Sequence, residues 1–214
     1  MLAPTNIELD ALIVWTRVDW GQIFHRAASI EVEIGFGNVA FLVEMAQREP
    51  ETNFVGLEIY KKGIKKARKR IERAGRQNVR LIRQEALAAL PKLFTAGELS
   101  AIYINFPDPW PKRRHHKRRL INPSFIATVY SLLKDRGRIF IATDYQEYAG
   151  EIERLFREHG GFYYLNQYFP DHNPTKYEQE CLRLGQAVYY MSWEKITNPV
   201  IVHGDRLSGS RKRL

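Results

Sequence analysis

The chain has one cysteine, Cys181, so no internal disulfide can form, and no Cys/His cluster has the spacing of a metal site. A reducing compartment and no bound metal are the expectation. Long apolar runs are missing too. The best stretch near the start, Ala11 to Trp15, falls far short of the roughly 20 residues that span a bilayer. "MLAPTNIELD" has no basic segment leading into an apolar one, so no leader, no membrane partner and a cytoplasmic location are expected. No repeat and no low-complexity segment occurs. What remains, 214 residues with 44% hydrophobic content, suffices for one globular domain with a substantial core.

Acidic residues are scarce in two places. Lys61 to Arg83 holds eleven Lys or Arg against one acid, Glu72, and Lys112 to Arg119 holds six against none. Together these segments contain 17 of the 33 Lys and Arg but one of the 24 acids, so the rest is net acidic although the whole is +9. Clustered cations suit a polyanion, because each contacted phosphate releases condensed counterions. Two solvated faces are the bland alternative. From Tyr60 to Ala74, the residues Ile64, Ala67, Ile71 and Ala74 recur at helical spacing. That stripe turns Lys61, Lys62, Lys65, Lys66, Arg68, Lys69, Arg70 and Arg73 toward water as a candidate nucleic-acid track.

Strand and helix signals alternate. "SIEVEIGFG" reads as strand and turn, Asn38 to Gln47 as helix, "NFVGLE" as strand, Tyr60 to Ala74 as helix stopped by Gly75, and "NVRLI" as strand. "LSAIYINF" is a strand, Pro107 to Leu120 a loop, Ile121 to Lys134 a helix, "GRIFIATD" a strand and Tyr145 to His159 a helix. "FYYLNQYF" and "AVYYMSWE" are two further strands without a full helix between them. The pattern predicts an α/β fold: a mostly parallel seven-stranded sheet, helices on both faces and one antiparallel edge strand. One domain over 1–195 and a loosely held basic tail over 196–214, ending in "RKRL", complete the expected organisation.

Ligands of such sheets sit outside the carboxyl ends of the strands. Gly35 and Gly37 follow a strand and open a helix there, where glycine lets the backbone turn and approach a ligand closely. Glu58 ends the next strand and can accept both hydroxyls of a ribose. Gly35, Gly37 and Ala40 also fit the dinucleotide pattern G-x-G-x-x-A, so a nicotinamide cofactor competes. Glu33 favours a cationic ligand instead, because a carboxylate in the mouth of the loop repels a pyrophosphate. S-adenosylmethionine carries an ammonium, a sulfonium and no phosphate. Glu85 is either a contact to the adenine amino group or a carboxylate at a helix start.

"INFPDPWPKRRHHKRR", residues 104 to 119, ends the fourth strand. Pro107 and Pro109 stiffen the backbone around Asp108, aiming its carboxylate, and Trp110 offers a plane on which a nucleobase can stack. The basic run beyond would hold phosphates within reach of the same pocket.

Taken together, "EIGFG", "GLE", "FPDPWPKRRHHKRR", "ATDY" and "TKYE" resemble the tRNA (guanine-N7-)-methyltransferase family of Rossmann-like, class I, S-adenosylmethionine-dependent enzymes, from about Ile30 to Trp193. The resemblance implies transfer of a methyl group to N7 of a guanosine in the tRNA variable loop, with S-adenosylhomocysteine as the other product. It implies cofactor contacts at Glu33, Glu58, Glu85 and Asp108 beside the Gly35 and Gly37 turn, with Asp108 as the active-site carboxylate. Lys112, Asp144, Thr175, Lys176, Tyr177 and Glu178 match substrate-binding positions, and Arg114, His115, His116, Lys117, Arg118 and Arg119 match the RNA-contacting stretch. The chain departs from the family pattern in having Glu for Asp at 85, Tyr for the common Phe at 177, and its own tail after Lys195. Two local readings stay open: Thr175 and Glu178 also spell a capping box, and Asp144 could cap the helix that follows. An exocyclic-amino methyltransferase is the nearest rival, since Asp108-Pro109-Trp110 resembles its (Asn/Asp)-Pro-Pro-aromatic motif less one proline. A non-catalytic RNA binder would leave Glu33, Gly35, Gly37 and Glu58 unexplained. No obligate protein partner is evident.

Overall fold

A computed structural model describes residues 7–9, 18–166 and 168–197. The apolar run 11–15 and residues 198–214, most of the expected tail, lie outside the described residues. In chain order the elements are β1 Glu8–Leu9, α1 Trp20–Phe24, β2 Ile30–Ile34, α2 Ala40–Arg48, β3 Asn53–Leu57, α3 Lys61–Arg73, β4 Val79–Ile82 and α4 Ala86–Leu93. They continue with β5 Leu99–Asn105, a 3-10 turn Arg113–Arg118, α5 Pro123–Leu132, β6 Leu133–Thr143, α6 Gln146–His159, β7 Phe162–Tyr164, α7 Lys176–Arg183 and β8 Tyr189–Lys195.

The strands form one sheet in the order β1-β4-β3-β2-β5-β6-β8-β7. All seven expected strands are present, and the two-residue β1 adds an eighth beside β4. The strand running against the others is β8, which lies between β6 and β7, one place in from the edge. "FYYLNQYF" is a strand only through Tyr164, and the chain then leaves the sheet to form α7 before returning as β8. The expected loop after Pro107 contains the 3-10 turn. Helices α1 and α4 gave no clear signal in sequence, α1 because it is five residues long and α4 because Pro91 interrupts it. Among the described residues no helix is long and apolar enough to cross a membrane.

Alternation along the strands sorts the core into two layers. Val32, Ile34, Val55, Leu57, Ile102 and Ile104 face α1, α4, α5 and α6. Phe54, Leu81, Tyr103 and Phe140 face α2 and α3. Burial on both faces is what a parallel sheet requires. On α3 the stripe Ile64, Ala67 and Ile71 is buried, and all eight expected cations face solvent. Arg80, in the same basic segment, is not part of that surface. It is buried, donates to the carbonyls of Ile23, Gln77 and Val79, and lies over the Phe24 ring.

Gly56 leaves room for Phe36, of the turn after β2, to pack on the sheet. A methyl group there would lie 2.6 Å from Phe36 Cδ1 and 2.9 Å from side-chain carbons of Leu42 and Leu81. Gly56→Ala is therefore expected to lower stability by about 1–3 kcal/mol through overpacking, measured by denaturant unfolding. Unchanged stability would mean that Phe36 moves aside freely.

Candidate active site

Five consecutive parallel strands, β4, β3, β2, β5 and β6, end on the same side, and each delivers polar residues there. After β2 the chain turns through Gly35 (φ +75°) and Gly37 (φ +51°), a conformation that costs other residues free energy. Val39, a β-branched residue at φ +62°, starts α2, and Asn38 Oδ1 accepts from the Ala40 amide at 2.9 Å. Such strain costs of order 1–3 kcal/mol and gathers at functional sites. Glu58, just past β3, is buried and accepts from the amides of Gly37 (3.1 Å), Ile59 (2.7 Å) and Tyr60 (3.1 Å). It thus holds the glycine turn to the start of α3.

Glu33 and Glu31 lie on the same face of β2, yet their environments differ. Glu31 accepts from the Tyr103 hydroxyl at 2.7 Å, and burial pushes its carboxyl up to about 7. Glu33 is 2% exposed; Asn105 Nδ2 donates to its Oε1 at 3.2 Å, and its Oε2 has no hydrogen-bond partner. Burial pushes the Glu33 carboxyl up to about 8, against the Asn105 hydrogen bond and the Leu42 amide, with Glu58 adding to the rise. An orphaned buried carboxyl oxygen at a ligand cleft is suited to an ammonium group. Asn105 did not stand out in sequence, because nothing local marks it as the partner of a residue 72 positions away.

Beyond β5, Phe106 and Trp110 both take positive φ, +53° and +44°, with Asp108 exposed between them. Asp108 lines two adjoining chambers, together with Gly35, Asn105, Phe106 and Pro107. One, of about 330 Å³, is completed by residues including Glu33, Gly37, Asn38, Asp144, Thr175 and Tyr177. The other, of about 380 Å³, is completed by residues including Glu58, Tyr60, Gln84, Glu85, Trp110 and Arg118. Trp110 therefore lies on the Glu58 side. The Arg118 guanidinium sits over its ring at 4.9 Å, and His115 meets it edge-on at 5.7 Å.

The remaining residues singled out in sequence are distributed as follows. Glu85 lines the second chamber while its two oxygens accept from Leu87 and Ala88 amides, capping α4. Thr175 and Glu178 form the capping box of α7. Thr175 also lines the first chamber, whereas Glu178 is buried away from it, bonded to His172 Nε2 at 3.1 Å and to the Tyr190 hydroxyl. Burial opposes its ionisation, but His172, Tyr190 and the Thr175 amide together hold its carboxyl below the usual range. Asp144 is not a helix cap; it accepts from the Tyr177 hydroxyl at 3.0 Å across the first chamber. Lys112 and Lys176 are exposed.

In the cationic turn Arg114, Lys117 and Arg118 are exposed and His115 and His116 half-buried. Arg119 departs from the expected RNA contact: its side chain is buried, donating to the Pro109 carbonyl and pairing with Glu147 and Glu151.

The charge of the cleft opposes that of the surface. Five acidic side chains, Glu33, Glu58, Glu85, Asp108 and Asp144, line the two chambers against one cation, Arg118, in a chain of net charge +9, and of these the buried Glu33 holds its proton until a cation meets it. That lining disfavours a pyrophosphate and fits the ammonium, sulfonium and ribose of S-adenosylmethionine. Among the described residues no group of three or more His, Cys, Asp or Glu is placed to hold a metal.

Comparison with known proteins bears on the family and the fold. A family model described as "Putative methyltransferase" matches residues 27–191. A tRNA (guanine-N(7)-)-methyltransferase of Thermotoga maritima is 37% identical over 186 residues, which is 86% of this chain and 59% of that protein. Another so named, from Nitrosococcus oceani, is 38% identical over 175 residues, 81% of this chain and 74% of its own. The solved structure of an rRNA methylase from Streptococcus thermophilus superposes with a TM-score of 0.54 at 17% identity, covering 79% of this chain and 88% of its own. At that identity the likeness establishes the fold alone, that of the class I methyltransferases. Fold, acidic cleft and the extended sequence match converge: the chain belongs to the tRNA (guanine-N7-)-methyltransferase family.

Proposed function

We propose that this protein transfers a methyl group from S-adenosylmethionine to N7 of a guanosine in the variable loop of tRNA. One observation carries the reading: an acidic, two-chambered cleft centred on Asp108, bordered by the cationic turn Arg113–Arg118. When bound, S-adenosylmethionine supplies an electrophilic methyl group on a sulfonium.

The residues of the chain divide the remaining work. Glu33 Oε2 receives the ammonium, and Glu58 receives the ribose hydroxyls while keeping the Gly37 amide in place. Glu85 contacts adenine only through lone pairs left over from capping α4. Guanine N7 already has an in-plane lone pair and no proton, so no residue has to remove one beforehand. The role of Asp108 is electrostatic and orienting: its carboxylate opposes the positive charge that develops on the imidazole part of the base, and it accepts hydrogen bonds from the amino and imino groups of guanine. Asp144, itself oriented by the Tyr177 hydroxyl, borders the base from the other wall with Thr175. Correct alignment of two reactants removes about 7–11 kcal/mol of barrier, the largest single contribution expected here. Lys112, Lys176 and the exposed residues of the turn hold phosphates.

The decisive assay incubates the protein with labelled S-adenosylmethionine and unmodified tRNA, then treats the product with borohydride and aniline. Chain cleavage at a variable-loop guanosine supports the reading. Label on an exocyclic amine would replace it with the amino-methylating rival, and no label would leave an RNA binder.

The cationic face of α3 extends the RNA surface. Replacing Lys61, Lys62, Lys65 and Lys66 by alanine is expected to weaken tRNA binding and to flatten its salt dependence by up to about 0.7–0.9 log units of slope per lost phosphate contact. An unaltered slope in filter binding would assign this face to solvation alone.

A further inference from the structure

Arg119 ends the cationic turn, yet its side chain is 2% exposed. Its Nε donates to the Pro109 carbonyl at 2.8 Å. One terminal nitrogen pairs with Glu151, the other with Glu147 at 3.3 Å, and the guanidinium lies 4.8 Å from the centre of the Tyr148 ring. All three of those partners belong to α6. The Tyr148 hydroxyl in turn accepts from the Ile121 amide at 3.2 Å, fixing the chain just beyond Arg119. A buried cation thus joins the peptide carbonyl next to Asp108 to a helix of the main core.

The loop needs such a bracket. Phe106 and Trp110, on either side of Asp108, both hold positive φ, which persists only where the surroundings over-determine the backbone. Two prolines limit the loop but donate no hydrogen bond. The Pro109 carbonyl is where the loop is tied to α6, and Arg119 is the tie. Arg118, its neighbour, covers the Trp110 ring, so the cationic turn and the Asp108 loop form one piece.

We infer that Arg119, seated on Glu147 and Glu151, is a positioning residue that holds Asp108 in its productive orientation. This inference rests on the assignment of Asp108 to methyl transfer. A guanidinium is required because three fixed acceptors in different directions need its planar fork; an ammonium would not reach them together.

The test uses Arg119→Lys and the milder Glu151→Gln in the full chain. Hydrogen–deuterium exchange, which needs no activity, is expected to accelerate over residues 106–119 and to stay unchanged in β2 to β4. Turnover is expected to fall about ten- to a hundredfold, as displacement of a reacting group by up to an ångström would produce, with KM for tRNA nearly constant. In an Asp108→Asn background, single-turnover rates are expected to show no further loss on adding Glu151→Gln. Unchanged exchange in both variants would overturn the inference without touching the proposed activity. Additive losses would also overturn it, as would a higher KM for tRNA at constant turnover, the signature of a direct RNA contact. An inactive parent protein would instead defeat the proposed function, and the exchange result would still decide the bracket.

Discussion

Asp108→Ala is expected to fold normally, to bind S-adenosylmethionine with only part of its affinity lost, and to turn over about 10²–10³-fold more slowly, the usual effect of removing one preorganised electrostatic partner. Folding should survive because Asp108 is exposed and no core residue depends on it. Cofactor affinity should survive in part because the proposed ammonium and ribose contacts, Glu33 and Glu58, lie in separate chambers, and Asp108 lines both. Turnover should suffer most, since the carboxylate opposes charge that develops only as the methyl arrives. Asp108→Asn distinguishes two parts of the role: it keeps much of the hydrogen-bonding shape and removes the charge. Single-turnover kinetics with tRNA would measure both variants, and wild-type rates in either would remove Asp108 from the chemistry.

The second large effect belongs to Glu33. Its carboxyl is pushed from 4.5 to about 8 in the folded protein, chiefly by burial. Between those values the folded chain holds a proton at Glu33 that the unfolded chain has released, so the contribution of Glu33 to the stability of the cofactor-free protein is greatest below about 4.5 and is lost as pH rises toward 8. Glu33→Gln removes that loss. The variant should melt higher than the wild type near pH 8, with the difference shrinking as pH falls toward 5. Binding has the opposite sign, because an ammonium at Oε2 favours the carboxylate. Wild-type affinity for S-adenosylmethionine should rise with pH as Glu33 ionises, until the α-amino group itself begins to lose its proton at about 7.7–8.0. The Gln variant should lose that rising limb and about 30-fold or more in affinity, since leaving one member of a buried charge pair alone costs 2 kcal/mol or more. Calorimetric titrations at several pH values measure both effects. Parallel pH profiles for the two proteins would place the ammonium elsewhere.

Much of this was legible from local pattern. The seven strands, the helices α2, α3, α5 and α6, and the carboxyl-end crevice follow from alternation of apolar periods. The buried stripe and exposed cations of α3 were readable because a helix face is set by residues three and four apart. Glu33, Gly35, Gly37, Glu58 and Asp108 converge as their strand ends imply. Less was legible where partners are distant. Two capping readings were open in sequence, and the contacts separated them: Thr175 and Glu178 do cap α7, whereas Asp144 instead meets Tyr177.

By itself the sequence determined which segments are strand or helix, where the glycine turn falls and which carboxylates lie at strand ends, because each depends on neighbours within a few residues. Tertiary structure alone decided what each charged side chain does. Arg118 faces out over Trp110 and Arg119 turns in to Glu147 and Glu151, one position apart in an unbroken basic run. Glu31 finds Tyr103 and Glu33 keeps an unpartnered oxygen, two positions apart on one strand. The physical reason is the same in both cases: the free energy of a buried charge depends on the partners that meet it, and those come from elements distant in the chain.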